Sequence, residues 1–175
     1  LGSVGKVHPI CETRIDPETG EIQMKSAYNT IGYYKAEEIT SELYEGEWLK
    51  TGDMGQLDPD NYLKIIGRVK DNFKTAKGQY VSPAPIENQY SLSQLVEQVC
   101  VAGINLPQPI ALVVPSSMAK SMNNNQLVEA FESLRLQVNP NFKKYEHIQK
   151  IVILQDEWTV ENKCLTPTLK IRRME

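Results

Sequence analysis

Two short motifs place a carboxylate and a guanidinium where each could contact a polar ligand. The carboxylate of Asp53, in the sequence Thr-Gly-Asp, could accept hydrogen bonds from both hydroxyls of a ribose. The guanidinium of Arg68, in the sequence Gly-Arg-Val-Lys-Asp, could reach ribose or phosphate oxygens with a planar geometry that lysine lacks. Simpler interpretations remain open, because the first motif has turn composition and the second is a charge cluster after a predicted strand.

Two basic segments further along the chain could also contact a ligand. The loop at residues 74–81 (KTAKGQYV) contains Gly78, which would let the backbone approach a bound molecule closely. This loop is not a nucleotide P-loop, because the pattern Gly-x-x-x-x-Gly-Lys-Ser/Thr occurs nowhere in the sequence. The segment at residues 165–173 (LTPTLKIRR) carries Lys170. A simple turn and a solvated tail are the respective alternatives for these two segments.

Composition and charge exclude several classes of function. The 175 residues carry a net charge of −3, and no basic face indicates nucleic-acid binding. No apolar run approaches the roughly 20 residues of a membrane-spanning helix. Cys11, Cys100 and Cys164 are widely spaced, and neither His8 nor His147 lies at metal-ligand spacing from them. We therefore expect reduced thiols in a cytoplasmic protein and no metal site.

The first third of the chain is predicted to be rich in strands. Residues 21–25 follow an Asp-Pro-Glu-Thr-Gly turn and alternate like a half-buried strand, and residues 54–66 are predicted to form a β-hairpin. A short polar helix is expected near residues 36–44. Together these elements indicate a small antiparallel sheet or part of a barrel.

Helices and strands interleave beyond Gly67. Ser82 followed by Pro83 predicts the start of a helix that runs to about Gln89. The spacing of apolar residues predicts a long amphipathic helix at residues 124–138. We also expect a short helix near residues 92–95 and strands at residues 99–104, 110–114 and 148–154. This pattern indicates a compact α+β unit that follows a boundary at residues 68–71.

Taken together and in this order, the motifs resemble those of the adenylate-forming superfamily, which includes acyl-CoA synthetases, luciferases and the adenylation domains of peptide synthetases. The resemblance covers nearly the whole chain. Its elements are GSVGK at residues 2–6, GEI at 20–22, Gly32, Tyr33, Thr40, WLKTGD at 48–53, GRVKD at 67–71, Lys74, Gly78, Glu87 and Lys170.

Two stretches, residues 72–83 and 165–170, most resemble the long-chain fatty acyl-CoA synthetases within this superfamily. Other branches typically carry a Gly-Lys pair at the last lysine, whereas Leu169 precedes Lys170 here. The resemblance implies a reaction in two halves: a fatty acid and ATP form an acyl-adenylate and pyrophosphate, and the thiol of CoA then displaces AMP. The implied ligands are therefore a fatty acid, ATP with Mg²⁺, and CoA.

The resemblance also implies roles for the candidate residues of the adenylation step. Asp53 would hold the ribose hydroxyls, and Arg68 would contact ribose or phosphate. Lys170 would lie over the reacting carboxylate and the α-phosphate, where a fixed cation stabilises the charge that develops between two approaching anions.

The thioester-forming step is assigned by the same resemblance to residues near the domain boundary. Lys70 would be the hinge about which the C-terminal domain rotates after adenylation. The rotation would remove Lys170 and bring in the loop that contains Lys74 and Gly78. Gly78 would then line the path of the pantetheine, where a side chain would obstruct the thiol.

The fold that the resemblance implies is α+β. Residues 1–67 would form a small antiparallel β-subdomain that ends a large N-terminal domain, residues 68–71 the hinge, and residues 72–175 a mobile, compact C-terminal domain of the acyl-CoA synthetase/luciferase type. The start at Leu1 without an initiator Met indicates a cut inside a longer protein. The family's phosphate loop and Tyr-x-x-Thr-Glu segment normally lie upstream of that point. We therefore expect no Mg²⁺ ligand and no ligase activity in this chain without its missing N-terminal domain.

Two other functions remain open. A fatty acyl-AMP ligase, or an adenylation domain that loads a carrier protein, would share the first half of the reaction. A non-catalytic binding or regulatory module is the alternative of another class, and unpaired strand edges in the β-rich third argue against it. Long-chain substrates are compatible with peripheral contact with a membrane.

Overall fold

The computed structural model describes residues 2–173 of the chain. Leu1, Met174 and Glu175 lie outside the described residues. The predicted start at Leu1 and the last two residues of the predicted C-terminal domain therefore fall outside them too. The chain forms two compact units, of which the first ends at Lys70 and the second begins at Asp71. This division falls within residues 68–71, whose function as a hinge stays a prediction.

The first unit is built on an antiparallel sheet, as predicted. Its elements are β1 (Gly5–Lys6), β2 (Glu12–Ile15), β3 (Glu21–Lys25), α1 (Glu37–Leu43), β4 (Tyr44–Glu45), β5 (Trp48–Leu57) and β6 (Tyr62–Arg68). The spatial order of the strands is β1-β6-β5-β3-β2, with β4 paired to β5. Every pair in this sheet is antiparallel.

The hairpin of β5 and β6 is longer at both ends than the predicted residues 54–66. Its tip is closed by Asp58, whose Oδ1 accepts hydrogen bonds from the amides of Asp60 and Tyr62 at 3.0 and 2.9 Å. The register shifts next to Gly55, where a Cβ atom would lie 2.7 Å from Ile22 Cδ1 and 2.8 Å from the Lys64 carbonyl oxygen. Only glycine fits this close approach, and the pairing can therefore continue past it toward Arg68.

Strand β3 does not show the alternating burial that its sequence suggests, because Glu21, Ile22 and Gln23 are all buried. Hydrogen bonds compensate the burial of the polar side chains. Gln23 accepts from Arg14 Nε at 2.6 Å and donates to Glu45 Oε2 at 2.8 Å. Polar contacts within the sheet, which a hydrophobic pattern does not reveal, are therefore responsible for this difference.

The second unit combines helices with a small mixed sheet. Its elements are β7 (Phe73–Lys74), β8 (Tyr80–Val81), α2 (Pro83–Ser91), β9 (Val96–Ala102), β10 (Ile110–Pro115), α3 (Ser117–Lys120), α4 (Asn124–Val138) and β11 (Lys150–Ile153). The sheet has the order β11-β10-β9, with β10 antiparallel to β9 and parallel to β11. Strands β7 and β8 pair separately as a hairpin. Within residues 2–173, no helix has the length and apolar character to cross a membrane.

Helices α2 and α4 agree with the prediction, whereas the short helix predicted near residues 92–95 is wrong. The amide of Leu92 caps α2 by donating to Gln89 O and Tyr90 O, and β9 begins at Val96. The intervening segment forms turns, in which Ser93 donates its amide to Tyr90 O at 3.0 Å and Val96 donates its amide to Ser93 O at 3.2 Å. The N-cap hydroxyl of Ser82 donates to Asn72 Oδ1 at 2.9 Å and does not bond to the helix.

The remaining strand predictions are correct in type but differ at their ends. Strand β9 begins before the predicted residue 99 and ends before Gly103, where a Cβ atom would lie 2.6 Å from Phe73 Cε2. Strand β11 is shorter than the predicted residues 148–154. Ile148 instead donates its amide to Asn139 Oδ1 at 2.9 Å, so this residue bonds to the end of α4 and not to the sheet.

The core of the second unit contains one polar group whose removal should stabilise the fold. The Tyr90 hydroxyl is buried and has no hydrogen-bond partner among the described residues. An unpaired buried hydroxyl costs roughly 1–3 kcal/mol, so we expect Tyr90→Phe to raise the free energy of unfolding by about 1 kcal/mol. Urea denaturation would measure the change. Tyr80→Phe is the control, because it alters an exposed phenol and should have little effect on stability. A lower free energy of unfolding for Tyr90→Phe would contradict the prediction that the Tyr90 hydroxyl is unpaired.

Tyr90 should also make the folded chain less stable at alkaline pH. Burial raises the pKa of Tyr90 from 10.0 to about 12. Above pH 10 the unfolded chain releases this proton while the folded chain retains it, so the contribution to stability falls between pH 10 and 12. Tyr90→Phe should remove this part of the decline.

Candidate active site

Asp53 and Arg68 lie on the adjacent strands β5 and β6 of the first unit. They are directly opposite in the register of β5 and β6, and Arg68 Nε lies 3.3 Å from Asp53 Oδ1. The Asp53 side chain is 33% exposed and that of Arg68 is 63% exposed, so both can still reach a ligand. Two residues proposed from separate motifs are therefore brought together by strand pairing.

The backbone that carries Asp53 is fixed by Glu21, which belongs to the GEI motif of the family resemblance but has no role assigned from the sequence. Gly52 has a φ of +75° and donates its amide to Glu21 Oε1 at 2.7 Å. The Asp53 amide donates to Thr51 Oγ1 at 3.2 Å, and that hydroxyl donates to the Ile22 carbonyl oxygen at 2.7 Å. The signals in the sequence were the GEI motif and an acidic residue at the start of a predicted strand, and neither reveals a buried carboxylate.

Gly78 lies in a tight turn between β7 and β8. The Thr75 amide donates to the Gln79 carbonyl oxygen at 2.9 Å, and the Gly78 amide donates to the Thr75 carbonyl oxygen at 2.9 Å. The Thr75 hydroxyl also accepts from the Gln79 amide at 3.3 Å, and Gly78 has a φ of +79°. Lys74, just before the turn, holds its ammonium 5.5 Å from the centre of the Tyr80 ring.

Lys170 lies in a turn of the same construction near the end of the chain. The Thr166 amide donates to the Lys170 carbonyl oxygen and the Leu169 amide donates to the Thr166 carbonyl oxygen, both at 2.8 Å. The Thr166 hydroxyl accepts from the Lys170 amide at 3.0 Å. An antiparallel bridge between Leu165 and Ile171 closes the base. The lysine side chain is exposed, on a backbone whose amide and carbonyl are both bonded.

The two turns explain why Leu169 is unusual. Each begins at a threonine and has, three residues later, a residue with positive φ: Gly78 in one turn and Leu169, at +59°, in the other. Such three-residue loops favour glycine at this position because a Cβ atom is strained there. Leucine replaces the glycine that the family resemblance leads one to expect at position 169. The backbone requirement for glycine becomes visible only in the folded loop.

Replacing Leu169 with glycine should therefore stabilise the fold. The left-handed conformation costs a leucine roughly 1–2 kcal/mol, and the added chain entropy of glycine offsets about 0.5–1 kcal/mol. We expect Leu169→Gly to raise the free energy of unfolding by about 0.5–1 kcal/mol, measured by urea denaturation. Leu92→Gly is the matched control, because Leu92 is also exposed but has an ordinary φ of −74°. If Leu169→Gly destabilises as much as the control, the strain is absent.

The other predicted features are distributed between the two units. Asp53, Arg68 and Lys70 belong to the first unit, and Lys74, Gly78 and Lys170 to the second. Lys70 is exposed in a 3₁₀ turn at Val69–Asp71. Across residues 2–173, no group of three or more His, Cys, Asp or Glu side chains could hold a metal ion. The three cysteines are free thiols.

The chain belongs to the family of AMP-binding enzyme C-terminal domains, whose family model matches residues 70–172. It is similar to long-chain-fatty-acid–CoA ligase 5 of Mus musculus, with 37% identity over 177 residues, 89% of this chain and 26% of the relative. It is 30% identical to the long-chain-fatty-acid–CoA ligase FadD15 of Mycobacterium tuberculosis, over 99% of this chain and 32% of the relative. The chain thus spans about a quarter to a third of the length of these curated relatives.

A solved structure supports the fold assignment independently. The adenylation domain of a carboxylate reductase from Mycobacterium chelonae superposes with a TM-score of 0.76 and 27% identity, over 97% of this chain and 29% of that one. The predicted α+β fold of the acyl-CoA synthetase/luciferase type and the resemblance to long-chain acyl-CoA synthetases are both confirmed.

Proposed function

We propose that this chain is part of an AMP-forming long-chain fatty acid–CoA ligase and supplies the adenylation lysine. The observation that carries the proposal is the hairpin of Lys170. Its backbone is held by three hydrogen bonds, its ammonium is exposed, and no ion-pair partner for it occurs among the described residues. A fixed cation without a competing carboxylate can stabilise an external anion. The names of the curated relatives support the reaction class and the acyl substrate.

In the first half-reaction, the carboxylate of a fatty acid attacks the α-phosphorus of ATP and pyrophosphate leaves. Lys170 stabilises the negative charge that builds up between these two anions. Asp53 accepts hydrogen bonds from the ribose hydroxyls, an assignment that its partial exposure and fixed backbone support. Arg68, beside Asp53, contacts ribose or phosphate. Mg²⁺ accompanies ATP in this proposal, and neither a residue of this chain nor a step of the reaction is assigned to it.

In the second half-reaction, the thiol of CoA attacks the acyl carbonyl carbon and AMP leaves. We assign the thioester-forming surface to the loop of Lys74 and Gly78, with Lys70 as the hinge between the two arrangements. The space next to Gly78 supports this assignment: among the described residues, a Cβ atom there would meet only Lys74 Cε, at 3.8 Å. A larger side chain would fill the open space that the pantetheine arm needs.

We infer that the ligase needs more of the protein than this chain, which spans 26–32% of the curated relatives' length. Purified chain mixed with ATP, Mg²⁺ and palmitate should therefore release no pyrophosphate, and substantial release would contradict this inference. A cytoplasmic location with peripheral contact to membranes stays a prediction.

The proposed function is tested by assaying the enzyme that contains this chain with acids from acetate to oleate, with and without CoA. Pyrophosphate release together with acyl-CoA made from long-chain acids only is the expected result. Acyl-CoA made only from short acids would contradict the substrate class, and absence of pyrophosphate release with every acid would contradict the reaction itself.

Transfer to a carrier protein is the second candidate. The adenylation domain of a carboxylate reductase shares the fold of this chain, whereas the curated relatives are named as CoA ligases. Under this alternative, adenylate would accumulate with CoA present, and the acyl group would move only to a phosphopantetheine-bearing protein.

A further inference from the structure

Arg173, which lies just beyond the Lys170 hairpin, is bound to a carboxylate inside the second unit. Its Nη1 and Nη2 atoms donate to Oε1 and Oε2 of Glu87, both at 2.6 Å. The side chains are only 20% and 12% exposed. Two parallel charge-assisted bonds of this kind fix orientation as well as distance.

The Glu87 carboxylate is itself held by the sheet. Oε1 accepts from the Val101 amide in β9 at 2.7 Å, and Glu87 projects from α2. Arg173 Nη1 also lies 3.5 Å from the Val101 carbonyl oxygen and 3.5 Å from Cys100 Sγ. The guanidinium therefore ties the end of the chain to a helix and a strand that belong to the core.

A third acidic group reaches the same guanidinium. Asp71 Oδ2 lies 3.8 Å from Arg173 Nε, and Asp71 follows directly after Lys70, the proposed hinge. One side chain thus contacts the first residue of the second unit as well as the core. Each of these contacts lies within the second unit.

The base of the Lys170 hairpin is also attached through Leu165, which is buried and donates its amide to the Thr159 carbonyl oxygen at 3.0 Å. The base is closed by the Leu165–Ile171 bridge and by the Arg172 amide donating to the Cys164 carbonyl oxygen at 2.9 Å. The turn contains Leu169 at an unfavourable positive φ, and residues 167–170 are exposed. The turn is exposed and strained, so its position depends on how firmly the base of the hairpin is held.

We propose that Arg173, held by Glu87, is a positioning residue that fixes the Lys170 hairpin on the second unit. The inference rests on the proposed function, because it assigns the Arg173–Glu87 pair a role in the adenylation step. Lysine at position 173 keeps the charge but cannot form the two parallel bonds. Glutamine at position 87 keeps the shape of the partner but removes its charge.

Amide hydrogen exchange of this chain tests the positioning without any assay of activity. In Arg173→Lys and Glu87→Gln, the amides of Leu169 and Lys170 should exchange at least about 10-fold faster, while those of strand β10 keep their rates. Arg135→Lys is the matched control, because Arg135 also pairs with a glutamate, Glu132 on α4, and should leave the hairpin unchanged. Unchanged hairpin rates, or equal acceleration of every amide, would overturn the proposal.

The half-reactions of the enzyme that contains the chain test the consequence. Arg173→Lys should lower kcat for adenylation at least about 10-fold with KM for ATP changed less than about twofold, and should leave thioester formation from preformed acyl-adenylate intact. Equal loss of both half-reactions would contradict a positioning role. Absence of adenylation in the unmodified enzyme would refute the proposed function instead, and the exchange experiment would still decide whether the pair holds the hairpin.

Discussion

Lys170→Ala should slow formation of the acyl-adenylate by about 10²–10³-fold, the usual effect of removing one group that stabilises transition-state charge. The reason is local: the ammonium stands on a hairpin whose turn is held by the Thr166 hydroxyl, which accepts from the Lys170 amide at 3.0 Å. Thioester formation from preformed acyl-adenylate should change less than about twofold. Rapid-quench measurement of pyrophosphate and of acyl-CoA separates the two steps.

Lys150→Ala provides the control for Lys170→Ala. Lys150 is also an exposed lysine of the second unit, at the start of β11, and it has no assigned role. Its removal should leave both half-reactions unchanged. If Lys170→Ala slows both half-reactions equally, the division of labour between the two loops is wrong.

Gly78→Leu should slow thioester formation and spare adenylation, the reverse of the effect expected for Lys170→Ala. The side chain would fill the space along the proposed pantetheine path, so thioester formation should fall by about 10²-fold, the effect of a small misplacement of reacting groups. Adenylation should change less than about twofold. The prediction is measured in the same two assays, with preformed acyl-adenylate and CoA for the second step.

The strain of a leucine at φ +79° must be separated from obstruction of the path. Gly46→Leu is the control for strain, because Gly46 has a φ of +61° and open space around its Cβ position. Gly78→Asn is the control for conformation, since asparagine tolerates the left-handed region better than leucine. We expect Gly46→Leu to spare thioester formation and Gly78→Asn to retain more of it than Gly78→Leu. Equal defects in Gly78→Leu and Gly46→Leu would identify backbone strain as the cause, since strain at positive φ is what these two variants share.

Several elements could be predicted from the sequence because their signals are local. Helix α4 occupies the predicted residues 124–138, since apolar residues at helical spacing identify a face that must be buried. The β5–β6 hairpin was recognisable from its turn residues. The family was recognisable because its motifs occur in order, although each motif alone fits a simple turn or charge cluster.

The errors arose where neighbouring elements decide the conformation. The predicted helix at residues 92–95 forms turns because α2 ends and β9 begins on either side of it. Glu21 and Gln23 are buried because hydrogen bonds from other parts of the sheet satisfy them. A hydrophobic pattern contains no information about such partners.

The sequence by itself determined the class of this protein, the order of its motifs and the residue types available for adenylation and thioester formation. Only the tertiary structure decided that Asp53 lies beside Arg68, that Thr75 and Thr166 build the same turn, and that Arg173 reaches Glu87. The physical reason is distance along the chain. Spacing in a sequence reports neighbours within one helix, strand or turn, whereas strand register and buried ion pairs join residues through contacts that form only when the whole unit packs.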